Sequence, residues 1–149
     1  MDLRTGEVRN FLSPFNTQDI KDIQTCLSTY DEIIGHNFID FDKPNMERLL
    51  GISFVGIKIT DTLILSRLYN PSLEDGHSLK AWGQRLDFPK GDYDDWTKLT
   101  PEMVTYCEKD LQVTAKLYTK LMSELAAFGN TSIDLENKVQ VIISTQIEN

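Results

Sequence analysis

The apolar residues of the chain recur mainly at helical spacing, and residues 100–125 form the longest such stretch. Thr100 can cap a helix there, and Pro101 sits where a missing backbone N–H costs nothing. Because they recur every three or four positions, six residues are expected to form one stripe facing a core: Cys107, Leu111, Thr114, Leu117, Leu121 and Leu125. Tyr106 and Asp110 are four residues apart, so they are expected to lie side by side next to that stripe.

Shorter segments alternate between strand and helix patterns. Strands are predicted at residues 7–11 after a hairpin turn at Thr5-Gly6, within residues 31–37, and at residues 57–59. Helices are predicted from Asn16 or Thr17 to about Ser28, at about 44–50, at 63–69, and from Ser78 to Leu86. A last helix is predicted over 132–149, after a break at Gly129-Asn130, with Leu135, Val139, Ile142 or Ile143, and Ile147 on its apolar face. This alternation predicts an α/β fold with parallel strand pairing.

The length and composition indicate one ordinary globular domain. The chain has 149 residues, of which 40% are hydrophobic and 26% are charged, enough for a core but too few for two comfortable domains. No apolar run approaches the roughly 18 residues of a membrane span, and the first ten residues do not resemble a signal peptide. Two cysteines form no disulfide framework, so an intracellular, reduced protein is expected.

The formal net charge of −8 argues against a protein that holds nucleic acid mainly by releasing counterions from phosphates. The same charge suits a carboxylate-rich metal site, and it equally suits an acidic, solvated surface. Charge alone does not decide between these two interpretations.

Three aspartates are candidates for a metal site. Residues just beyond the carboxyl ends of parallel strands line the binding crevice of an α/β sheet, and both Asp42 and Asp61 follow predicted strands. Asp110, on the long helix, is expected to converge with Asp42. Mg²⁺ and Mn²⁺ prefer such carboxylate ligands, and two ions about 4 Å apart can promote phosphodiester hydrolysis. The alternative is that these aspartates cap helices or are solvated.

Four short motifs occur in a fixed order: N-x3-F-D at residues 37–42, D-T-L-x-L-S-R at 61–67, H-S-L-x2-W-G-x-R-L at 77–86, and Y-x3-D at 106–110. Together they resemble the 3′–5′ proofreading exonuclease domain of family A DNA polymerases from tailed bacteriophages. These domains belong to the DnaQ-like (DEDDy) exonucleases. The resemblance extends over about residues 1–130.

The resemblance implies an α/β, ribonuclease H-like (DnaQ-like exonuclease) three-layer fold, truncated at its N-terminal strands. Residues 1–130 are then an incomplete exonuclease-like domain, and residues 131–149 resemble the first helix of the polymerase region. The expected localisation is cytoplasmic, in the host cell if the protein is encoded by a phage.

The resemblance also assigns roles to individual residues. Asp42 and Asp110 match metal-binding catalytic aspartates, with Mg²⁺ or Mn²⁺ in a two-ion site, and Tyr106 matches the tyrosine that orients the attacking water. Asp61 matches a mainly structural position. Two residues, His77 and Trp82, are expected to anchor a loop and fill the core, and the acidic, aromatic loop at 92–96 is expected to shape a surface rather than bind a base.

One family motif has no counterpart in its expected place. The family carries D-x-E on its first strand, where alternate residues share one face, but that strand and its two carboxylates are missing before the TGEV turn here. Asp134-Leu135-Glu136 has the right letters, yet on a helix residues two apart diverge by about 200°. It is therefore interpreted as a decoy. Asp40 also precedes Asp42 in a D-x-D, but the family pattern uses only Asp42.

Two functions remain open. The first is a 3′–5′ DNA exonuclease acting on single-stranded or frayed 3′ ends, impaired because the first-motif carboxylates are missing. The alternative is a non-catalytic exonuclease-fold protein that binds nucleic acid, a polymerase domain or a host protein. A segment of a larger polymerase would give the same sequence. No membrane partner is expected, and self-association through an exposed sheet edge is expected.

Overall fold

The computed structural model describes residues 1–13, 16–89 and 91–147. Its elements, in chain order, are α1 Thr17–Leu27, β1 Glu32–Gly35, a π-helical turn Phe38–Asp42, α2 Lys43–Leu50, β2 Lys58–Asp61, α3 Thr62–Tyr69, α4 Leu79–Arg85, α5 Pro101–Glu124, a 3₁₀ turn Ala126–Phe128 and α6 Asn130–Ile147. The two strands pair in parallel, with Glu32 opposite Lys58 and Gly35 opposite Asp61. The predicted parallel pairing is thus present, while the ribonuclease H-like fold stays a prediction.

The predicted helix starts are confirmed by their capping contacts. Asn16 accepts a hydrogen bond from the Gln18 N–H, and the Ser78 and Thr100 hydroxyls accept from the N–H groups of Ala81 and Met103. Such caps satisfy backbone donors that have no partner inside the helix. Because this chemistry is local, the residue type indicated it correctly.

The main core lies where α3, α4, α5 and α6 meet, and its buried members are Leu65, Trp82, Leu117, Leu121, Leu125 and Ile133. The Trp82 indole N–H donates to the Ser66 hydroxyl at 2.7 Å, and that hydroxyl also contacts Nδ1 of His77 at 2.7 Å. His77 therefore ties the loop before α4 to α3, which confirms the anchoring and core roles predicted for His77 and Trp82. A smaller cluster of Ile23, Ile52 and Phe54 lies beneath α1.

The predicted strand at residues 7–11 is wrong, although a turn precedes it. The Gly6 N–H donates to the Asp2 carbonyl at 2.8 Å, and the Asp2 N–H donates to the Glu7 carbonyl at 2.9 Å. Gly6 has φ +75°, which glycine adopts without strain. In the described part of the chain, residues 7–11 pair with no other strand. An alternating pattern becomes a strand only beside a partner.

The predicted stripe of α5 is correct only in its C-terminal half. Leu117, Leu121 and Leu125 are buried, as expected, and Val113 joins them although the stripe did not include it. Cys107 and Leu111 are exposed, so the prediction is wrong there. The physical reason is that no described element covers that part of the helix.

The apolar face predicted for α6 is also wrong. Its predicted members lie outward in the described structure: Leu135, Val139, Ile142, Ile143 and Ile147. The buried face instead carries Ile133 and Asn137. None of the helices in the described residues is both long and apolar enough to cross a membrane.

Candidate functional site

Asp61 organises the junction between the sheet and the candidate site. It ends β2 and is only 2% exposed. Its carboxylate accepts hydrogen bonds from three backbone N–H groups, those of Asn37 at 2.8 Å, Ile39 at 3.0 Å and Leu63 at 2.9 Å. The last of these caps α3, and the first two hold the turn after β1. The structural cap and turn role predicted for Asp61 is confirmed.

The turn from β1 to Asp42 is determined by local sterics. A Cβ at Gly35 would meet the Cβ of Phe38 at 2.5 Å, so only glycine fits there. Asn37 adopts the left-handed conformation, with φ 58°, which asparagine tolerates better than most residues. The chain then enters the π-helical turn that ends at Asp42. This geometry fixes the position from which the Asp42 side chain starts.

Helix α6 packs on the same turn through polar contacts. The Gln140 side-chain amide donates to both Asp40 carboxylate oxygens at 3.0 Å. The Asn137 side-chain oxygen accepts from the Asp61 N–H at 2.7 Å, and its amide group donates to the Ile133 carbonyl at 2.9 Å. Asp40 thus has a structural contact, and two polar residues of α6 support the candidate site.

The supporting role of Asn137 and Gln140 was not predicted. Both lie on a helix whose other face is rich in isoleucine and valine, and the apolar periodicity directed attention to that other face. Polar groups on a buried helix face must find hydrogen-bond partners. Only the three-dimensional position of the Asp61 N–H and of Asp40 provides them.

Asp42 lies at the start of α2, and its side chain makes no capping hydrogen bond there. The residue keeps part of its surface in solvent. Protein atoms crowd its carboxyl group, and this desolvation raises the pKa of Asp42 above its ordinary value, with the negative charge of Asp61 as a further contribution in the same direction. Asp42 and Asp61 are therefore electrostatically coupled.

Tyr106 belongs to an aromatic cluster at the N-terminal end of α5. Its ring centroid lies 5.8 Å from that of Tyr93 and 5.6 Å from that of Trp96, and these two rings are 5.1 Å apart. The Tyr93 hydroxyl is 2.9 Å from the hydroxyl of Thr100, the cap of α5. Because the loop rings contact both Tyr106 and the cap, they restrict the orientation of Tyr106. The expectation that this loop shapes a surface is consistent with these contacts.

Asp110 lies one turn after Tyr106 on α5 and is half-buried, with carboxylate oxygen Oδ1 shielded from solvent. The Thr114 hydroxyl donates to the backbone carbonyl of Asp110 at 2.9 Å. Tyr106 and Asp110 therefore share a helix face, as the spacing predicts. The convergence of Asp110 with Asp42, and the catalytic and metal roles of all three residues, stay predictions.

The donors in the described structure do not fit a two-ion metal site. Across residues 1–13, 16–89 and 91–147, no group of three or more His, Cys, Asp or Glu side chains is placed to hold a metal ion. Asp61 uses both carboxylate oxygens on backbone N–H groups, which leaves Asp42 and Asp110 as the candidate ligands. Hard divalent ions need several oxygen ligands, so two carboxylates are a minimal set for one ion.

The D-x-E at residues 134–136 does not add ligands to this set. It lies on α6, as the decoy interpretation requires, and the carboxylate of Asp134 is 2.9 Å from the ammonium of Lys58 on β2. The side-chain hydrogen bond to Asp134 raises the pKa of Lys58. Asp134 therefore has a structural ion pair between α6 and the sheet.

Comparisons with known proteins indicate a relation to phage polymerases. The DNA-directed DNA polymerases of Escherichia phage T7 and Enterobacteria phage T3 are each 28% identical to this chain over an alignment of 133 residues. That alignment covers 62% of this chain and 19% of the polymerase, so the chain spans about a fifth of the length of these relatives. No family model and no solved structure matches the chain.

Proposed function

We propose that this chain is a 3′–5′ exonuclease-type domain of phage polymerase descent, whose hydrolysis of DNA 3′ ends is impaired by its small set of metal ligands. The observation that carries the proposal is the Y-x3-D pair on α5, with Tyr106 held in an aromatic cluster and Asp110 one turn away, in a chain related to phage DNA polymerases. Nucleic-acid or polymerase-related partners follow from the same relation.

The proposed role of the chain's own residues is positioning. The Tyr106 phenol is an O–H that can hydrogen-bond a water molecule, and the contacts with Tyr93 and Trp96 reduce its freedom. Holding the reacting groups in place removes much of the entropic barrier to hydrolysis. Mg²⁺ or Mn²⁺ supplies a nucleophilic hydroxide in sites of this chemistry, but the ligand set described above does not fit two ions, so no step is assigned to a metal.

The second candidate is a non-catalytic protein that keeps the fold and binds nucleic acid or a protein partner. The observation in its favour is the engagement of Asp61 and Asp134 in structural contacts. With these carboxylates used elsewhere, the fold is maintained by groups that a catalytic site would otherwise recruit.

A cleavage assay separates the two candidates. A 5′-labelled single-stranded oligonucleotide is incubated with the protein and Mn²⁺, and the products are resolved to single nucleotides. We expect slow shortening from the 3′ end only, abolished by Asp110→Ala and Asp42→Ala and reduced about tenfold or more by Tyr106→Phe, as expected for a general acid–base or positioning group. A circular strand of the same sequence, which has no 3′ end, should remain intact.

Matched controls identify structural damage. Tyr118→Phe removes a phenol on the same helix, and Glu136→Ala removes an exposed carboxylate; neither should alter the rate. No cleavage by any form of the protein would refute the exonuclease proposal and favour the non-catalytic candidate. Rapid cleavage that depends on Asp42 and Asp110 would show that two carboxylates suffice and that the inferred impairment is wrong.

A further inference from the structure

A groove of about 530 Å³ runs along the outer side of β1. One wall comes from α5, through Leu111, Thr114, Ala115 and Tyr118. The opposite wall comes from the N-terminal segment and the end of α1, and Ile33 and Ile34 of β1 lie between the walls. The groove therefore follows a strand and has a helix beside it.

The backbone of β1 offers unpaired hydrogen-bonding groups along this groove. The Asp31 carbonyl accepts from the Lys58 N–H at 2.9 Å, so Asp31 directs its backbone groups towards β2. In a parallel pair, alternate residues direct their N–H and C=O groups to opposite sides. The backbone groups of Glu32 and Ile34 therefore point away from β2, and in the described part of the chain no other strand pairs with them.

The side chains along the groove are those of an interior rather than of a surface. Leu111 and Thr114 belong to the apolar stripe of α5, which is closed over by the core further along the helix. Ile33 packs against the small cluster beneath α1. A parallel sheet normally has both faces covered and more than two strands. The groove thus combines an open strand edge with apolar walls on both faces of the sheet.

The rim of the groove carries an excess of negative charge. Four carboxylates line it, those of Asp2, Glu7, Asp31 and Glu32, against two guanidinium groups. Arg4 lies 3.3 Å from Asp2, and Arg9 lies 2.8 Å from Glu7, so both guanidinium groups are already engaged. Glu32 shares Lys58 with the nearer Asp134, at 3.4 Å and 2.9 Å.

We propose that an extended polypeptide segment with apolar side chains and flanking Lys or Arg residues adds to β1 as a third strand in this groove. The unpaired N–H and C=O groups of Glu32 and Ile34 provide the ladder for it. Leu111 and Ala115 on one wall, with Phe11 and Leu27 on the other, receive its side chains. The acidic rim selects basic flanks. This inference is independent of the proposed function.

The charge also argues against a second copy of this chain in the same position. Two β1 edges brought together would place the two acidic rims against each other. Like charges brought face to face disfavour such a contact. The occupant is therefore expected to be a basic-flanked strand, and dimerisation is a distinguishable outcome of the test.

Binding of a probe peptide tests the proposal. The probe is a fluorescein-labelled peptide of alternating valine and threonine with two lysines at each end, and its fluorescence anisotropy is measured against the full chain. We expect saturable binding that weakens at least tenfold when alternate backbone amides of the peptide are N-methylated, or when its lysines are replaced by glutamates. In NMR hydrogen exchange, the amides of Glu32 and Ile34 should become protected when the peptide is bound.

A variant of the groove wall provides the matched test on the protein. Ala115→Phe places a ring in the groove and should weaken binding at least tenfold, whereas Gln112→Phe, on an exposed part of the same helix, should not. Circular dichroism checks that both variants are folded. Absence of binding, or binding that ignores both N-methylation and Ala115→Phe, would overturn the proposal. A dimer in sedimentation equilibrium that Ala115→Phe dissociates would assign the groove to a second copy instead.

Discussion

The two halves of α5 have the same apolar spacing but different surroundings. Leu117, Leu121 and Leu125 in the C-terminal half are buried against α3, α4 and α6. Leu111, in the N-terminal half, is 38% exposed and faces the groove beside β1. The difference shows that periodicity identifies the apolar face of a helix but does not determine whether a neighbour covers that face.

The largest expected effect compares leucines from the two halves. Leu117→Ala should lower the free energy of unfolding by about 2–5 kcal/mol, because it leaves a cavity among closely packed side chains. Leu111→Ala removes the same atoms from a partly solvated position and should cost less than about 1 kcal/mol. Urea unfolding at neutral pH, followed by circular dichroism, measures both values.

Equal losses from the two variants would break the comparison. That result would mean that the N-terminal half is covered in solution as completely as the C-terminal half. Repeating the measurement with the lysine-flanked peptide bound would then sharpen it, since an added strand should increase the cost of Leu111→Ala and leave that of Leu117→Ala unchanged.

An intermediate effect is expected at the aspartates, which show the same contrast between closed and open surroundings. Asp61→Asn puts an amide where three backbone N–H groups now find a carboxylate. One buried donor then loses its acceptor, so the expected cost is about 1–3 kcal/mol of unfolding free energy. Asp40→Asn, at an exposed residue that accepts from Gln140, is the control and should stay within about 0.5 kcal/mol.

A stability change near zero for Asp61→Asn would contradict the structural role of Asp61. A ligand role would then become the better explanation of its burial. In that case the variant should reduce Mn²⁺ binding while leaving the unfolding transition in place, and isothermal titration calorimetry would detect it.

The smallest effect is expected at Asp42. Its folded-state pKa is raised by desolvation and by Asp61, so the folded protein binds the proton more tightly than the unfolded chain does. Stability therefore falls as the pH rises from the ordinary aspartate pKa of about 3.9 through the higher folded-state pKa. Asp42→Asn removes this penalty without removing a helix cap, so the variant should be slightly more stable than the parent at pH 7.

Unfolding curves at several pH values provide the measurement for Asp42. The difference between variant and parent should vanish below pH 3.9, where the carboxyl group is protonated in both states. The Asp61→Asn background should also reduce the difference, because one cause of the raised pKa of Asp42 is then removed. A variant that is less stable than the parent at pH 7 would show that the Asp42 carboxylate makes a favourable contact instead.

Local features of this fold were predictable from sequence because their physics is local. The caps at Asn16, Ser78 and Thr100 need only a side chain and a backbone N–H two or three residues away. The structural role of Asp61 followed similarly from its place between a strand and a helix. Features that depend on a distant neighbour were predicted poorly, as at residues 7–11, where an alternating pattern has no pairing strand.

The candidate site was predictable in its members more than in its arrangement. The side-by-side placement of Tyr106 and Asp110 follows from four-residue spacing on a helix. The coupling of Asp42 to Asp61, and the support of the turn by Gln140, join residues that are 19 and 100 positions apart in sequence. Spacing rules do not extend over such separations, and the buried face of α6 uses hydrogen bonds that hydrophobicity does not indicate.

The hydrogen bond from the Asp61 N–H to Asn137 makes α6 and the end of β2 mechanically inseparable. If α6 detaches, the Asp61 N–H loses its acceptor, and Ile133 leaves the core that Leu65 and Trp82 share. The last helix therefore belongs to the same cooperative unit as the sheet. A version of the protein shortened before Asn130 would lose part of its foundation rather than an appendage.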